Sequence, residues 1–113
     1  MNLAEICREL SLEVRTGAGR LEREVTGGYA SDLLSCVMAR AQAGNIWVTL
    51  QAHPNIVAVA SLLNLAGVII TEGVVPDETT VSKAEEEGVV LLLTPLTTFA
   101  VVGKLARMGI AAA

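Results

Sequence analysis

The chain has 113 residues, a net charge of −4 and apolar side chains at 52% of positions, of which only Trp47, Tyr29 and Phe99 are aromatic. That length serves one domain with a real core and is too short for two. The acidic balance argues against nucleic acid, whose phosphates demand a basic patch. The longest apolar-rich stretch, Ile56 to Ile70, contains Asn64 and Gly67 and falls short of the ~20 residues that span a bilayer.

Asn2 caps a first helix whose apolar stripe is Leu3, Ile6, Cys7 and Leu10, at i, i+3, i+4 and i+7. Glu5, Arg8 and Glu9 face away from the stripe and stand where a secretory leader would be apolar, which predicts a cytoplasmic protein. Leu12-Glu13-Val14 alternates as a half-buried strand, Thr16-Gly17-Ala18-Gly19 is a turn, and Leu21 to Val25 alternates again. These two segments are either a hairpin or separate edge strands.

Thr26, Gly27 and Gly28 then lead into a helix capped by Ser31 or Asp32. Its inward face is Leu33, Leu34, Val37, Met38 and Ala41, and Gly44 ends it. Ile46 to Leu50 is a strand. His53 at the cap and Pro54 at the first helical position open a helix that runs to about Ala66. Val68 to Thr71 is a fully buried type of strand. Asp77 caps a helix with an acidic outer face at Glu85, Glu86 and Glu87, stopped by Gly88. Val89 to Leu93 is the last strand, and Thr94-Pro95 opens a helix to about Met108.

From Ile46 onward the order is strand, helix, repeated, so right-handed crossovers between parallel strands are the economical solution. The expected fold is a single α/β domain over 1–113, three-layered, with a mostly parallel sheet of about 4–5 strands flanked by helices. Helices 54–66 and 95–108 are apolar around most of their girth. A helix apolar on every side must be buried on every side, so one of these two is expected to form a homodimer interface or dock on a partner protein.

Ligands of open parallel sheets bind beyond the carboxyl ends of the strands, where helix N-termini offer free N–H groups. The residues placed there by this reading are Thr26, Gly27, Gly28, His53, Asn55, Glu72 and Thr94. Together they would suit an anion or a polar small molecule. Each has a plainer role beside that one. Thr26-Gly27-Gly28 serves equally as a strand-to-helix turn needing positive φ, and His53 as a helix cap. Asp32 and Glu72 are chemically able to hold a metal, yet read better as a helix-start carboxylate and a solvated loop residue.

Nothing matches G-x-G-x-x-G, and Gly103-Lys104 lacks the upstream glycine and the Ser or Thr of a nucleotide phosphate loop. Cys7 and Cys36 lie far apart without a further Cys or His at ligand spacing, so neither disulfide nor metal is expected. No cofactor and no catalytic constellation is indicated. The enzyme alternative rests on His53 acting with Glu72.

The segments Val25-Thr26-Gly27-Gly28 through Ser31-Asp32-Leu33-Leu34, Ile46-Trp47-Val48-Thr49, His53-Pro54-Asn55, Gly67 to Thr71 and Thr94 to Phe99 together resemble the DRTGG domain family over nearly the whole chain. Thr26-Gly27-Gly28 matches the namesake motif, whereas Glu24 and Val25 replace its acidic-basic pair. The resemblance implies a fold similar to the N-terminal domain of HPr kinase/phosphorylase. It also implies a regulatory or oligomerising module of the kind found beside CBS domains in pyrophosphatases and before phosphotransacetylase domains. Stand-alone copies occur in anaerobic bacteria, some near iron-only hydrogenase genes. The functional expectation is a non-enzymatic, homodimeric module that binds a small polar or phosphorylated ligand or a partner protein. A purely structural oligomerisation domain is the alternative.

Overall fold

A computed structural model describes residues 1–112. Its elements are α1 (Leu3–Leu10), β1 (Glu13–Thr16), β2 (Gly27–Ala30), α2 (Leu34–Arg40), β3 (Asn45–Thr49), α3 (Asn55–Leu62), β4 (Gly67–Ile70), α4 (Glu78–Glu87), β5 (Leu91–Leu93) and α5 (Thr98–Arg107). A 3-10 turn at Ala18–Arg20 follows β1. The strands form one five-stranded sheet in the order β1-β5-β4-β3-β2. β2, β3, β4 and β5 are parallel, and β1 runs antiparallel to β5 at the edge.

Alternation along the strands sends side chains to two cores. Ile46, Val48, Ile69 and Leu92 meet Leu3, Ile6 and Leu10 of α1 and Val101 and Leu105 of α5. Trp47, Val68, Ile70, Leu91 and Leu93 meet Val37 of α2, Ile56, Val57 and Val59 of α3 and Ala84 of α4. The sheet is thus the middle of three layers. Because both faces are covered, β3, β4 and β5 are buried at every position. Each fully buried Ile, Leu or Val stabilises the fold by about 1.5–3 kcal/mol relative to exposure.

Local signals explain the helix ends. Asn2 and Glu5 form a reciprocal capping box on α1. Asp77 accepts from the Thr80 N–H at the start of α4, and Gly88 ends that helix at φ +70°. The helix expected over 95–108 starts later, because Thr97 rather than Thr94 is its N-cap.

Three expectations are corrected. Leu21 to Val25 alternates in sequence but is no strand. Its carbonyls instead accept from the free N–H groups that open α1: Leu3 N–H bonds Arg23 O at 3.0 Å and Ala4 N–H bonds Leu21 O at 2.9 Å. The segment, which starts as a turn at residues 21–22, is therefore paired to a helix end rather than to the sheet. Gly27 and Gly28, expected to form the turn into a helix, begin β2 instead, in register with Asn45 and Ile46 of β3. α2 starts at Leu34 with no side-chain cap from Ser31 or Asp32, ends at Arg40 short of Gly44, and leaves Leu33 and Met38 exposed.

The helix over 54–66 is covered by its neighbours around most of its girth, with Leu62 left exposed. α3 lies between α2 and α4, so Ile56, Val57, Val59 and Ala60 are all buried within the chain. On α5, Val101 and Leu105 are buried, while Phe99 and Val102 are exposed. Among the described residues no helix is long and apolar enough to cross a membrane.

Candidate functional site

The seven candidate residues divide between the two ends of the sheet. β2 begins at Gly27 beside the start of β3. Thr26, Gly27 and Gly28 therefore lie at the amino ends of the parallel strands. His53, Asn55, Glu72 and Thr94 follow β3, β4 and β5 and lie at the carboxyl ends. The structure does not bring the two groups together.

At the amino end, Thr26 ties β2 to the turn before β3. Its hydroxyl donates to Ala43 O at 2.9 Å and accepts from the Asn45 side-chain amide at 3.2 Å. Asn45 is itself buried, and its Oδ1 accepts from Gln42 N–H at 2.8 Å. Neither glycine has positive φ, so the strand-to-helix reason for them does not hold. Close packing explains them instead. A Cβ on Gly27 would stand 3.1 Å from Ala111 O, and one on Gly28 would stand 3.3 Å from the Ile110 side chain. Gly28 N–H donates to Ala111 O at 2.8 Å. The pair lets residues 110–112 lie along the edge of β2. Nearby, the Arg23 guanidinium donates from Nη1 to Ala66 O (3.4 Å) and from Nη2 to Gly88 O (3.2 Å). Burial, and then the charge of Arg20, lower its pKa from the ordinary arginine value.

At the carboxyl end the N-termini of α3, α4 and α5 are served by the chain's own side chains, while that of α2 is not. His53 Nδ1 accepts from Asn55 N–H at 3.1 Å and caps α3. Glu72 is an exposed loop residue, as the plainer reading has it, and it has a partner as well: its Oε2 accepts from Thr98 N–H at 2.8 Å, in the first turn of α5. It does so from a left-handed backbone, φ +62°, which costs a non-glycine residue roughly 1 kcal/mol. Thr94 is buried, and its hydroxyl accepts from Leu96 N–H at 3.1 Å. Gly73 N–H donates to Thr94 O at 3.1 Å, which joins the loops after β4 and β5. Among the described residues no hydrogen bond links His53 to Glu72 or to Thr94.

Sequence reasoning missed the polar network beneath this rim. Thr49 and Thr71 are fully buried at the ends of β3 and β4. The Thr49 hydroxyl donates to Asp32 Oδ1 at 2.8 Å, and the same oxygen accepts from Leu50 N–H at 2.8 Å. The Thr71 and Thr98 hydroxyls meet at 2.6 Å. Asp32 thus fastens the end of β3 rather than the start of α2. One signal was present: Thr49, Thr71 and Thr94 close three successive apolar strands, where a short hydroxyl side chain satisfies the backbone as it leaves the sheet.

Beside the rim, Ser11, Glu13, Gly73, Val74, Thr94 and Pro95 line a shallow cleft of about 220 Å³. The loops that form the rim, 31–33, 50–54, 71–77 and 94–97, carry Asp32, Glu72 and Asp77 and no lysine or arginine. Such a surface repels an anion and attracts a cation or a hydrogen-bonding partner.

A family model described as the DRTGG domain matches residues 5–108. Among solved structures, the chain is similar to the CBS and DRTGG domains of the regulatory region of Clostridium perfringens pyrophosphatase, solved in complex with its activator, diadenosine tetraphosphate. The TM-score is 0.76 at 18% identity, over 93% of this chain and 46% of that one. The chain therefore spans about half the length of that neighbour, and the likeness establishes a shared fold. No curated protein matches the sequence.

Proposed function

The chain belongs to the DRTGG domain family, and from that premise we propose that it is a cytoplasmic regulatory module without catalytic activity. In this reading it forms a homodimer through an apolar helix and binds a small polar ligand or a partner protein at the carboxyl ends of its strands. One observation carries the non-enzymatic part. His53 and Glu72, the residues on which a catalyst would depend, are each committed to a helix N-terminus, on α3 and α5 respectively. A general base needs its lone pair aimed at a substrate proton and a neighbour to orient it, and here both groups accept from the backbone.

The regulatory part is supported by kinship: the Clostridium perfringens neighbour is a regulatory region complexed with its activator. The ligand itself is narrowed by charge. With Asp32, Glu72 and Asp77 on the rim loops and no cation there, an uncharged polar molecule or a basic protein segment suits the carboxyl end better than a free phosphate. The dimer is supported by α5, whose Phe99 and Val102 remain exposed after the fold is complete.

Thermal denaturation against a panel of nucleotides, acyl phosphates, inorganic phosphate, neutral polar metabolites and lysine-rich peptides tests the ligand reading. A ligand at one hundred times its dissociation constant adds about 2.7 kcal/mol of stability. A flat response across the panel overturns ligand binding and leaves the purely structural oligomerisation domain. Any activity that survives His53→Ala removes that residue as catalyst.

A further inference from the structure

The exposed face of α5 carries Phe99, Val102, Gly103 and Ala106 at i, i+3, i+4 and i+7, one continuous stripe along the helix. It lies away from Val101 and Leu105, which anchor α5 to the sheet. Phe99 is 91% exposed and Val102 39%. A side chain at Gly103 would meet nothing within 4 Å, so the middle of the stripe is bare backbone open to close approach. Next to it, sharing Val102 and Ala106, runs an apolar groove of about 340 Å³ between α5 and the β2 edge, floored by Val48 and closed by Ile110.

The stripe is complementary to itself. Phe99 and Ala106 are equally far from the midpoint between Val102 and Gly103, one large and one small. A second copy laid antiparallel across that midpoint puts each Phe99 over the partner's Ala106, at the mouth of the partner's groove. It also puts glycine against glycine, where the helices can close. This is the isologous pattern of a two-fold interface, in which one patch serves both protomers.

Charge agrees with the antiparallel sense. The first turn of α5 holds the exposed Glu72 carboxylate, and its other end carries Lys104 and Arg107. Neither base forms an ion pair among the described residues. Antiparallel packing brings the basic end of each helix to the acidic end of the other, and opposes the two helix dipoles.

We propose that a second copy of this chain docks on α5 in antiparallel register, with Phe99 of each protomer seated in the groove beside the partner's Ala106. The proposal rests on the dimer reading above and specifies its helix, register and anchor. Aromatic anchors in apolar pockets carry much of the binding energy at such interfaces.

The test combines sedimentation and cross-linking in a Cys7→Ser, Cys36→Ser background. The parent sediments as a dimer at micromolar concentration. Phe99→Asp, at a position that contributes little to the protomer core, weakens dimerisation by at least about tenfold. Leu62→Asp, at an exposed site on α3, leaves it unchanged. Under mild oxidation Gly103→Cys links to its own copy, while Phe99→Cys and Ala106→Cys link only when the two variants are mixed. A monomeric parent overturns the dimer reading itself, and the proposal with it. A dimer indifferent to Phe99→Asp but broken by Leu62→Asp preserves dimerisation and overturns the α5 assignment. Self-linking at positions 99 and 106 overturns the antiparallel register.

Discussion

Replacing Glu72 by alanine and by glycine separates two opposed contributions of one residue. The carboxylate accepts from Thr98 N–H at 2.8 Å at the positive end of α5. A cap of this kind is worth about 1 kcal/mol. The backbone at φ +62° costs roughly 1 kcal/mol for any residue with a Cβ and almost nothing for glycine. Glu72→Ala loses the cap and keeps the strain, so it should be less stable than the parent by about 1 kcal/mol, or ~4 °C in a domain this size. Glu72→Gly loses the same cap but sheds the strain, so it should return close to the parent. The assay is urea unfolding followed by circular dichroism, with equal m values required of all three proteins. Glycine is ordinarily the more costly replacement for a structured residue, so alanine below glycine is a discriminating order. If alanine equals the parent, Glu72 is a free rim group and the cap carries no weight. If glycine falls below alanine, the strain argument fails.

Asp32→Ala should cost about 1–2 kcal/mol, because it strands the buried Thr49 hydroxyl and the Leu50 N–H that its carboxylate receives. A cycle with Thr49→Val in chemical denaturation should show coupling of at least about 0.5 kcal/mol, and strict additivity would deny the contact. Gly28→Leu should dislodge residues 110–112 from the sheet edge, since even a Cβ there approaches Ile110 to 3.3 Å. Amide exchange at position 28 then accelerates by about tenfold or more, and unchanged protection would refute the packing reason for the glycine pair. Burial raises the pKa of the Cys7 thiol above its usual value, so less thiolate is present at pH 8 in the folded chain than in the unfolded one. Alkylation of Cys7 should therefore be slower in the native protein than in urea and should quicken as pH rises. The folded state should lose stability as pH climbs past the ordinary thiol value, because the unfolded chain releases that proton first.

The sheet and its covering helices were readable because their residues obey one period at a time. Val68 to Thr71 and Val89 to Leu93 are unbroken apolar runs that only a strand covered on both faces can use. Leu3, Ile6 and Leu10 repeat at helical spacing and are buried as that spacing requires. β2 was hidden because Gly27-Gly28-Tyr29-Ala30 has none of the β-branched residues that mark a strand. Its glycines answer to a tail more than 80 residues later in the chain, and no local pattern carries that contact. The expectation that Thr26, Gly27 and Gly28 lie at the carboxyl-end rim fails through that single shift. On α3 most of the greasy girth is met by α2 and α4 while Leu62 stays exposed, and packing between neighbouring helices leaves no mark in the sequence of either. Glu72 and His53 were placed at the correct end. Their use as caps depends on hydrogen bonds to α5 and α3, which only the fold displays.

The strip of chain from Ile110 to Ala112 has a consequence for the order of events in folding. It is the piece that occupies the otherwise open side of β2, through Gly28. It is also synthesised after every helix and strand it protects. While the chain is emerging, β2 presents unpaired N–H and C=O groups to any other extended segment nearby, the usual route to edge-to-edge association. Closing that side requires a contact between residues near opposite ends of the sequence, and such contacts form slowly because the intervening loop must first be ordered. The glycine pair therefore shapes more than a resting contact: it determines how long a nascent chain stays adhesive, and a strap that docks poorly would reveal itself first as lost yield rather than as a lower melting temperature.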